Sequence, residues 1–314
     1  MIEFQKVTKL YKTVIGVNDI SLRLEPGVYG LLGPNGSGKT TFINLVMGQL
    51  RPTLGSVSVF GENPWKSDDL LNRIGLCPAL QASYPFVSGV KWVAYLTQLR
   101  GFSRSESMDM ATQAMEQVGM SHAMDRAMSG YSLGMRQRTV LAQSIAHDPE
   151  LLILDEPFNG LDPKGRYEMT LFLKEWVKRG KSLILASHIL HEVEALDPSL
   201  LLISGGRLLA SGSPQQVRSI LADCPNSVSL RCDQPQVLAS LITANFSVDS
   251  IKIHSEHDEI EIESRSPMDL LSGLPRLAVE FELTISELRS SDESLQQIFS
   301  TLMRIHRGEI RVPG

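Results

Sequence analysis

The stretch Gly33-Pro34-Asn35-Gly36-Ser37-Gly38-Lys39-Thr40 decides how this chain is read. It satisfies the pattern G-x-x-x-x-G-K-[ST] in full. It follows a short apolar run, Val28–Leu32 (VYGLL), and precedes an apolar helical segment from about Thr41 to Met47. Strand, glycine-rich loop and helix start form the context in which this pattern binds phosphate. Glycines remove Cβ atoms, so successive backbone N–H groups can close on an anion, and the helix N-terminus adds positive dipole. Lys39 would reach the β- and γ-phosphates of a nucleotide, and the Thr40 hydroxyl would ligate Mg²⁺.

Further along, Leu151-Leu-Ile-Leu-Asp155-Glu156-Pro157 reads as an apolar strand ending in two acids. Such a strand presents carboxylates at the C-terminal edge of a sheet, where α/β proteins bind ligands. Asp155 is suited to hold Mg²⁺ through water, and Glu156 to polarise an attacking water as general base. From Leu151 to Ile203 strands and helices alternate. LLIL, SLILAS and SLLLIS are separated by helices near 163–179 and 189–195, which argues for a largely parallel α/β sheet. Between about 88 and 128 the pattern is helical and holds six of the 12 methionines, suited to adaptable core packing or to a partner-binding groove.

The chain has 314 residues, 42% hydrophobic and 21% charged, which fits a globular protein with a real core. Thirty basic against 35 acidic residues give a net charge of −5, which does not point to nucleic acid. Three cysteines, Cys77, Cys224 and Cys232, do not make a disulfide framework, so a reducing compartment is expected. The first residues lack the apolar core of a signal peptide, and no run of 18 apolar residues occurs, so no membrane span is expected.

Charge is unevenly distributed. From residue 215 onward there are nine basic and fifteen acidic residues, against 21 and 20 before it. The tail also changes period. Val228, Leu230 and Cys232 alternate with polar residues, as do Ile260 and Ile262, and Leu277, Val279, Phe281, Leu283 and Ile285 read as a longer strand. With helical segments near 235–244 and 267–273, this is compatible with a β-α-β-β-α-β, ferredoxin-like domain. A last helix is expected near 292–303.

A third motif gives the pattern a family. Tyr131-Ser132-Leu133-Gly134-Met135-Arg-Gln-Arg138 lies between the other two, with Ser132 23 residues before Asp155. The chain resembles the nucleotide-binding subunit of an ATP-binding cassette (ABC) transporter of exporter type, whose signature is Leu-Ser-Gly-Gly-Gln. Ser132 and Gly134 are kept, while Leu133 and Met135 depart from it. The resemblance covers about residues 1–215 and implies a P-loop NTPase cassette of mixed sheet core plus a helical subdomain at about 85–135. Residues 220–314 would form a small acidic α+β accessory domain.

The resemblance also implies roles. Gly33 to Thr41 would cradle the phosphates, and Tyr11 would stack on adenine. Ser132 and Gly134 would close on the ATP of a partner cassette in a head-to-tail dimer. His188, 33 residues beyond Asp155, would contact the γ-phosphate, and Asp162 in Asn159–Asp162 would couple the two sites. Lys39, Glu156 and His188 would carry ATP hydrolysis, with Mg²⁺ on Thr40 and Asp155. One departure stands out. The family places Gln or Glu directly after the element that here ends in Cys77-Pro78, but the residue is Ala79. Either Gln81, two positions later, reaches the Mg²⁺, or this ligand is absent.

The implied partners are a separate transmembrane permease and a second cassette, identical or paralogous, at the cytoplasmic face of the membrane, with no nucleic acid. The aromatic-rich segment holding Tyr84, Phe86, Trp92 and Tyr95 would meet the permease. The alternatives are a soluble ABC ATPase acting on a non-transport partner and a nucleotide-dependent switch with little turnover. Phosphate release separates the switch from an enzyme, and capture of a membrane partner separates a transporter subunit from the soluble ATPase.

Overall fold

The computed structural model describes residues 1–79, 84–217, 226–254, 259–290 and 302. The chain divides into two units, Met1–Pro214 and Gln215–Gly314. The first opens with strands β1 (Ile2–Tyr11), β2 (Val14–Leu24) and β3 (Val28–Leu32), then helix α1 (Lys39–Val46). Strand β4 (Leu54–Val59), the single-turn α2 (Asp68–Leu71) and β5 (Ile74–Cys77) lead to helices α3 (Gly89–Gln98), α4 (Arg104–Gln117) and α5 (Leu133–Ile145). Then β6 (Leu151–Asp155), α6 (Pro163–Lys178), β7 (Ser182–Ser187), α7 (Leu190–Glu194), β8 (Ser199–Ser204) and β9 (Arg207–Gly212) alternate.

One sheet has the order β5-β6-β7-β3-β8-β9. Its first five strands run parallel, and β9 pairs antiparallel with β8. Strands β6 and β7 are buried at every residue. That explains why LLIL and SLILAS read as continuous apolar runs: both faces of a parallel sheet are covered.

A second, antiparallel sheet has the order β2-β1-β4. Ile2, Phe4 and Val7 from it share a core with Phe42 and Leu45 of α1 and with Leu31, Ile153, Ile184 and Leu201 of the parallel sheet. The rings of Phe4 and Phe42 stack at 4.5 Å and 1°. Each such fully buried side chain contributes about 1.5–3 kcal/mol, and together they seat α1 between the two sheets.

In the helical stretch, Ser103 and Glu106 form a reciprocal capping box that starts α4. Met115, Met120 and Met128 fill its interior.

The second unit runs β10 (Asn226–Cys232), α8 (Pro235–Asn245), β11 (Ser250–His254), β12 (Glu259–Ser264), α9 (Pro267–Glu280) and β13 (Ile285–Ser290). Its antiparallel sheet has the order β11-β12-β10-β13. Val228, Leu230, Ile260 and Ile262 pack against Leu238, Ile242, Leu270 and Leu274 of the helices.

The sequence reading of a strand through Leu277–Ile285 is corrected. Residues to Glu280 are helical, and the strand starts at Ile285. Leu270, Leu274 and Leu277 form the buried helical face, whereas Val279 is 82% exposed. The alternating apolar residues are divided among a helix end, a turn and a strand start. The helix expected near 292–303 lies outside the described residues, apart from Leu302, which is helical.

Candidate active site

The strand order sets the site. β6, β7 and β3 lie side by side, with Asp155 opposite Ala186 and Leu32 opposite Ser187. The residues that follow their carboxyl ends, Glu156, His188 and Gly33, therefore emerge along one sheet edge.

Gly38 opens α1 with φ of 110°, a conformation that a side chain rarely tolerates. A Cβ on Gly38 would stand 2.4 Å from the Gly16 carbonyl oxygen and 3.4 Å from Gly206 Cα. Gly206 also lies against Gly16, and its N–H donates to the Ser37 carbonyl at 2.9 Å. Three glycines from separate parts of the chain thus clamp the loop, whose tip at Pro34, Asn35 and Gly36 is exposed. Ser37 is buried.

Lys39 is buried, and its ammonium donates to the Gly33 carbonyl at 2.7 Å and the Pro34 carbonyl at 3.4 Å. It also stands 3.5 Å from Glu156 Oε1, an ion-pair contact without hydrogen-bond geometry. Glu156 has φ of 52°, a strained backbone for a non-glycine residue that costs on the order of 1–3 kcal/mol. Its N–H donates to the Ala186 carbonyl at 2.9 Å, and its carbonyl accepts from Asn159 N–H at 3.2 Å. So held, its carboxylate faces Lys39 through Oε1 and His188 through Oε2, where His188 Nδ1 approaches to 2.9 Å.

The Thr40 hydroxyl donates to Asp155 Oδ2 at 3.1 Å. Burial raises the Asp155 carboxyl above its ordinary pKa, and the negative Glu156 adds to this, against the Thr40 hydrogen bond and the Lys39 charge. Thr40, Asp155 and Glu156 Oε1 are hard oxygen donors, and Glu156 Oε1 is a buried atom with no hydrogen-bond partner among the described residues. Such a set fits Mg²⁺, which takes few protein oxygens and fills its shell with water and phosphate.

Tyr11 ends β1 with 41% exposure, so it is not a core tyrosine. Its ring covers Gly16, and its hydroxyl lies 3.4 Å from Thr41 Oγ1, beside the first turn of α1.

Ser132 caps α5 by accepting from Met135 N–H at 3.2 Å, and Gly134 lies against Leu161. Asp162 caps α6 by accepting from Gly165 N–H at 2.8 Å. Ala79 occupies an exposed bend, and Gln81 lies outside the described residues. At the end of β5, beside β6, the buried Cys77 thiol is pushed up to about 12 by desolvation and by the Asp155 charge, and Gln137 Nε2 donates to it at 3.8 Å.

Some residues at this site escape sequence reasoning. Gly16 and Gly206 act through close backbone approach, which leaves no local signature. Ser187, Glu192 and Arg166 form a hydrogen-bonded group beside His188. The sequence hint was an acid four residues after His188 in a short helix.

Residues 17–159, from within β2 to just past Glu156, match the family model described as ABC transporter. The bacitracin transport ATP-binding protein BcrA of Bacillus licheniformis is 30% identical over 306 residues, spanning 96% of this chain and 97% of that protein. The chain belongs to the ABC transporter family. A further ABC relative is the daunorubicin/doxorubicin resistance ATP-binding protein DrrA of Streptomyces peucetius. It is 31% identical over 309 residues, 96% of this chain and 92% of that one. Both matches run through the second unit as well as the cassette.

The dimeric structure of MJ0796, a bacterial ABC transporter cassette, shares the cassette fold. Its TM-score is 0.62 at 21% identity, over 68% of this chain and 98% of that one. By its sequence relatives the protein is an ABC ATPase, an ATP-binding subunit. Among the described residues, no helix is long and apolar enough to cross a membrane.

Proposed function

We propose that residues 1–215 form the ATPase cassette that powers export through a separate permease, and that residues 220–314 form a ferredoxin-like accessory domain. The strand order β11-β12-β10-β13 supports the second assignment. The observation that carries the catalytic reading is the Glu156 carboxylate, held between Lys39 and His188 on a strained backbone.

Adenine stacks on Tyr11, and backbone N–H groups of Gly33, Pro34, Asn35, Gly36, Ser37, Gly38, Lys39, Thr40 and Thr41, where each has one, surround the phosphates. Lys39 exchanges its loop carbonyls for phosphate oxygens, a better match for a buried cation. Thr40 and Asp155 hold Mg²⁺, which when bound neutralises charge developing on the β- and γ-phosphates. Glu156 accepts a proton from the attacking water, and His188 donates toward the γ-phosphate.

Ser132 and Gly134 face the ATP of a second cassette, and Asp162 links the two sites across that dimer. Turnover then rests on the Thr40, Asp155, Glu156 and His188 set, with Ala79 in the place of the family's Gln. The exposed aromatic group of Tyr84, Phe86 and Tyr95 supports a permease contact at the membrane's cytoplasmic face, since Phe86 is 94% exposed. Phosphate release by the full chain, compared with Glu156→Gln, tests the reading. Retained turnover in that variant would remove Glu156 from the chemistry.

A further inference from the structure

The backbone carrying His188 is pinned on both sides through one hydroxyl. Ser187 Oγ donates to Glu192 Oε2 at 3.0 Å and accepts the Ile189 N–H at 3.0 Å. Glu192 is buried, and its other oxygen accepts from Arg166 Nη1 at 2.7 Å. Arg166 also donates from Nε to the Leu161 carbonyl at 3.3 Å. A continuous run of hydrogen bonds therefore joins the loop 159–162 to the residues flanking His188.

Apolar packing already helps to seat α7. Val193 fills the space above Gly30, where a Cβ would meet it at 2.2 Å. Glu192 is buried but the Arg166 side chain is 39% exposed, and desolvating the carboxylate offsets much of the attraction, so the pair adds little net attachment. What the pair does supply is direction: a planar guanidinium and a carboxylate fix the distance between two loops.

We infer that Arg166 and Glu192 are positioning residues for ATP hydrolysis. They set the His188 segment, and so its contact with Glu156, from the place of the Leu161–Asp162 loop. They act through Ser187 rather than on substrate. The inference rests on the proposed reading of His188.

The test is steady-state phosphate release by the full chain with Mg²⁺ and varied ATP, which separates kcat from KM. E192Q, R166M and S187A are each expected to lower kcat about tenfold with KM within about twofold. The double variant R166M/E192Q is expected to be no slower than the slower single one, because both cut the same run. S187A removes only a hydroxyl, so it decides the matter even where R166M fails to fold. Wild-type kcat in S187A and E192Q, alongside loss in H188A, would overturn the positioning role and leave the His188 reading standing. Additive losses in the double variant would also overturn it. Wild-type turnover in H188A would overturn the reading of His188 and this inference together.

Discussion

The Leu133 side chain occupies the space where a Cβ on Gly160 would stand, with Leu133 Cδ2 2.1 Å from that position. Gly160 has φ of 76°, so both space and backbone require glycine there. Through this contact the signature segment and the loop 159–162 share one packing unit within the same chain. Gly160→Ala is expected to destabilise the protein by about 1–3 kcal/mol, through strain and displacement of Leu133. Chemical denaturation measures it, and a wild-type midpoint would contradict the contact.

Glu156→Gln keeps shape and loses basicity. The expected loss in kcat is about 10²–10³-fold, with ATP still bound. Single-turnover phosphate release alongside nucleotide binding checks both halves. Loss of binding would make Glu156 a structural ion-pair partner of Lys39 instead.

Tyr11 is half-exposed and lies beside α1. Tyr11→Ala removes a stacking surface worth about 1–3 kcal/mol per base, so KM for ATP should rise on the order of tenfold at unchanged kcat. Tyr11→Trp should restore it. A KM unmoved by either change would place adenine elsewhere.

Phe86 packs little of its own surface, so Phe86→Asp should leave thermal stability and phosphate release near wild type. Co-purification with the proposed permease should fall. If it does not, the aromatic group serves another purpose.

His147 provides a pH dependence. It is buried, its Nε2–H donates to the Ile74 carbonyl at 3.1 Å, and desolvation lowers its pKa to about 4 from an ordinary 6.5. The folded state therefore holds it neutral while the unfolded chain protonates it. Stability from this group is complete above about pH 6.5 and declines as pH falls toward 4, by on the order of 2–3 kcal/mol. His147→Gln should flatten that slope in urea titrations at pH 7 and pH 5. An unchanged slope would assign the acid sensitivity to other groups.

What could be read from sequence was what is contiguous. The loop Gly33–Thr40 and the run Leu151–Glu156 each carry strand, turn and chemistry in a few residues. Their local pattern survives folding because both faces of β6 are buried. What could not be read depends on distant segments. Nothing near Gly16 in the sequence announces that Gly38 and Gly206 press on it. Arg166 looks like an ordinary residue of α6 until Glu192 is brought beside it. Leu277 to Ile285 misled for a different reason: an alternation of apolar residues has no sense of where a helix ends, and the buried face at Leu270, Leu274 and Leu277 prevailed.

The glycine junction has one more consequence. Gly16 underlies Tyr11 on one side, while its carbonyl abuts the Gly38 backbone that starts the phosphate loop on the other. On the proposed roles, base platform and phosphate grip meet at one close-packed glycine, so their separation is set by the protein's own packing. The site is then a fixed-length gauge. A molecule anchored by its base either spans the distance to Lys39 or stops short of it.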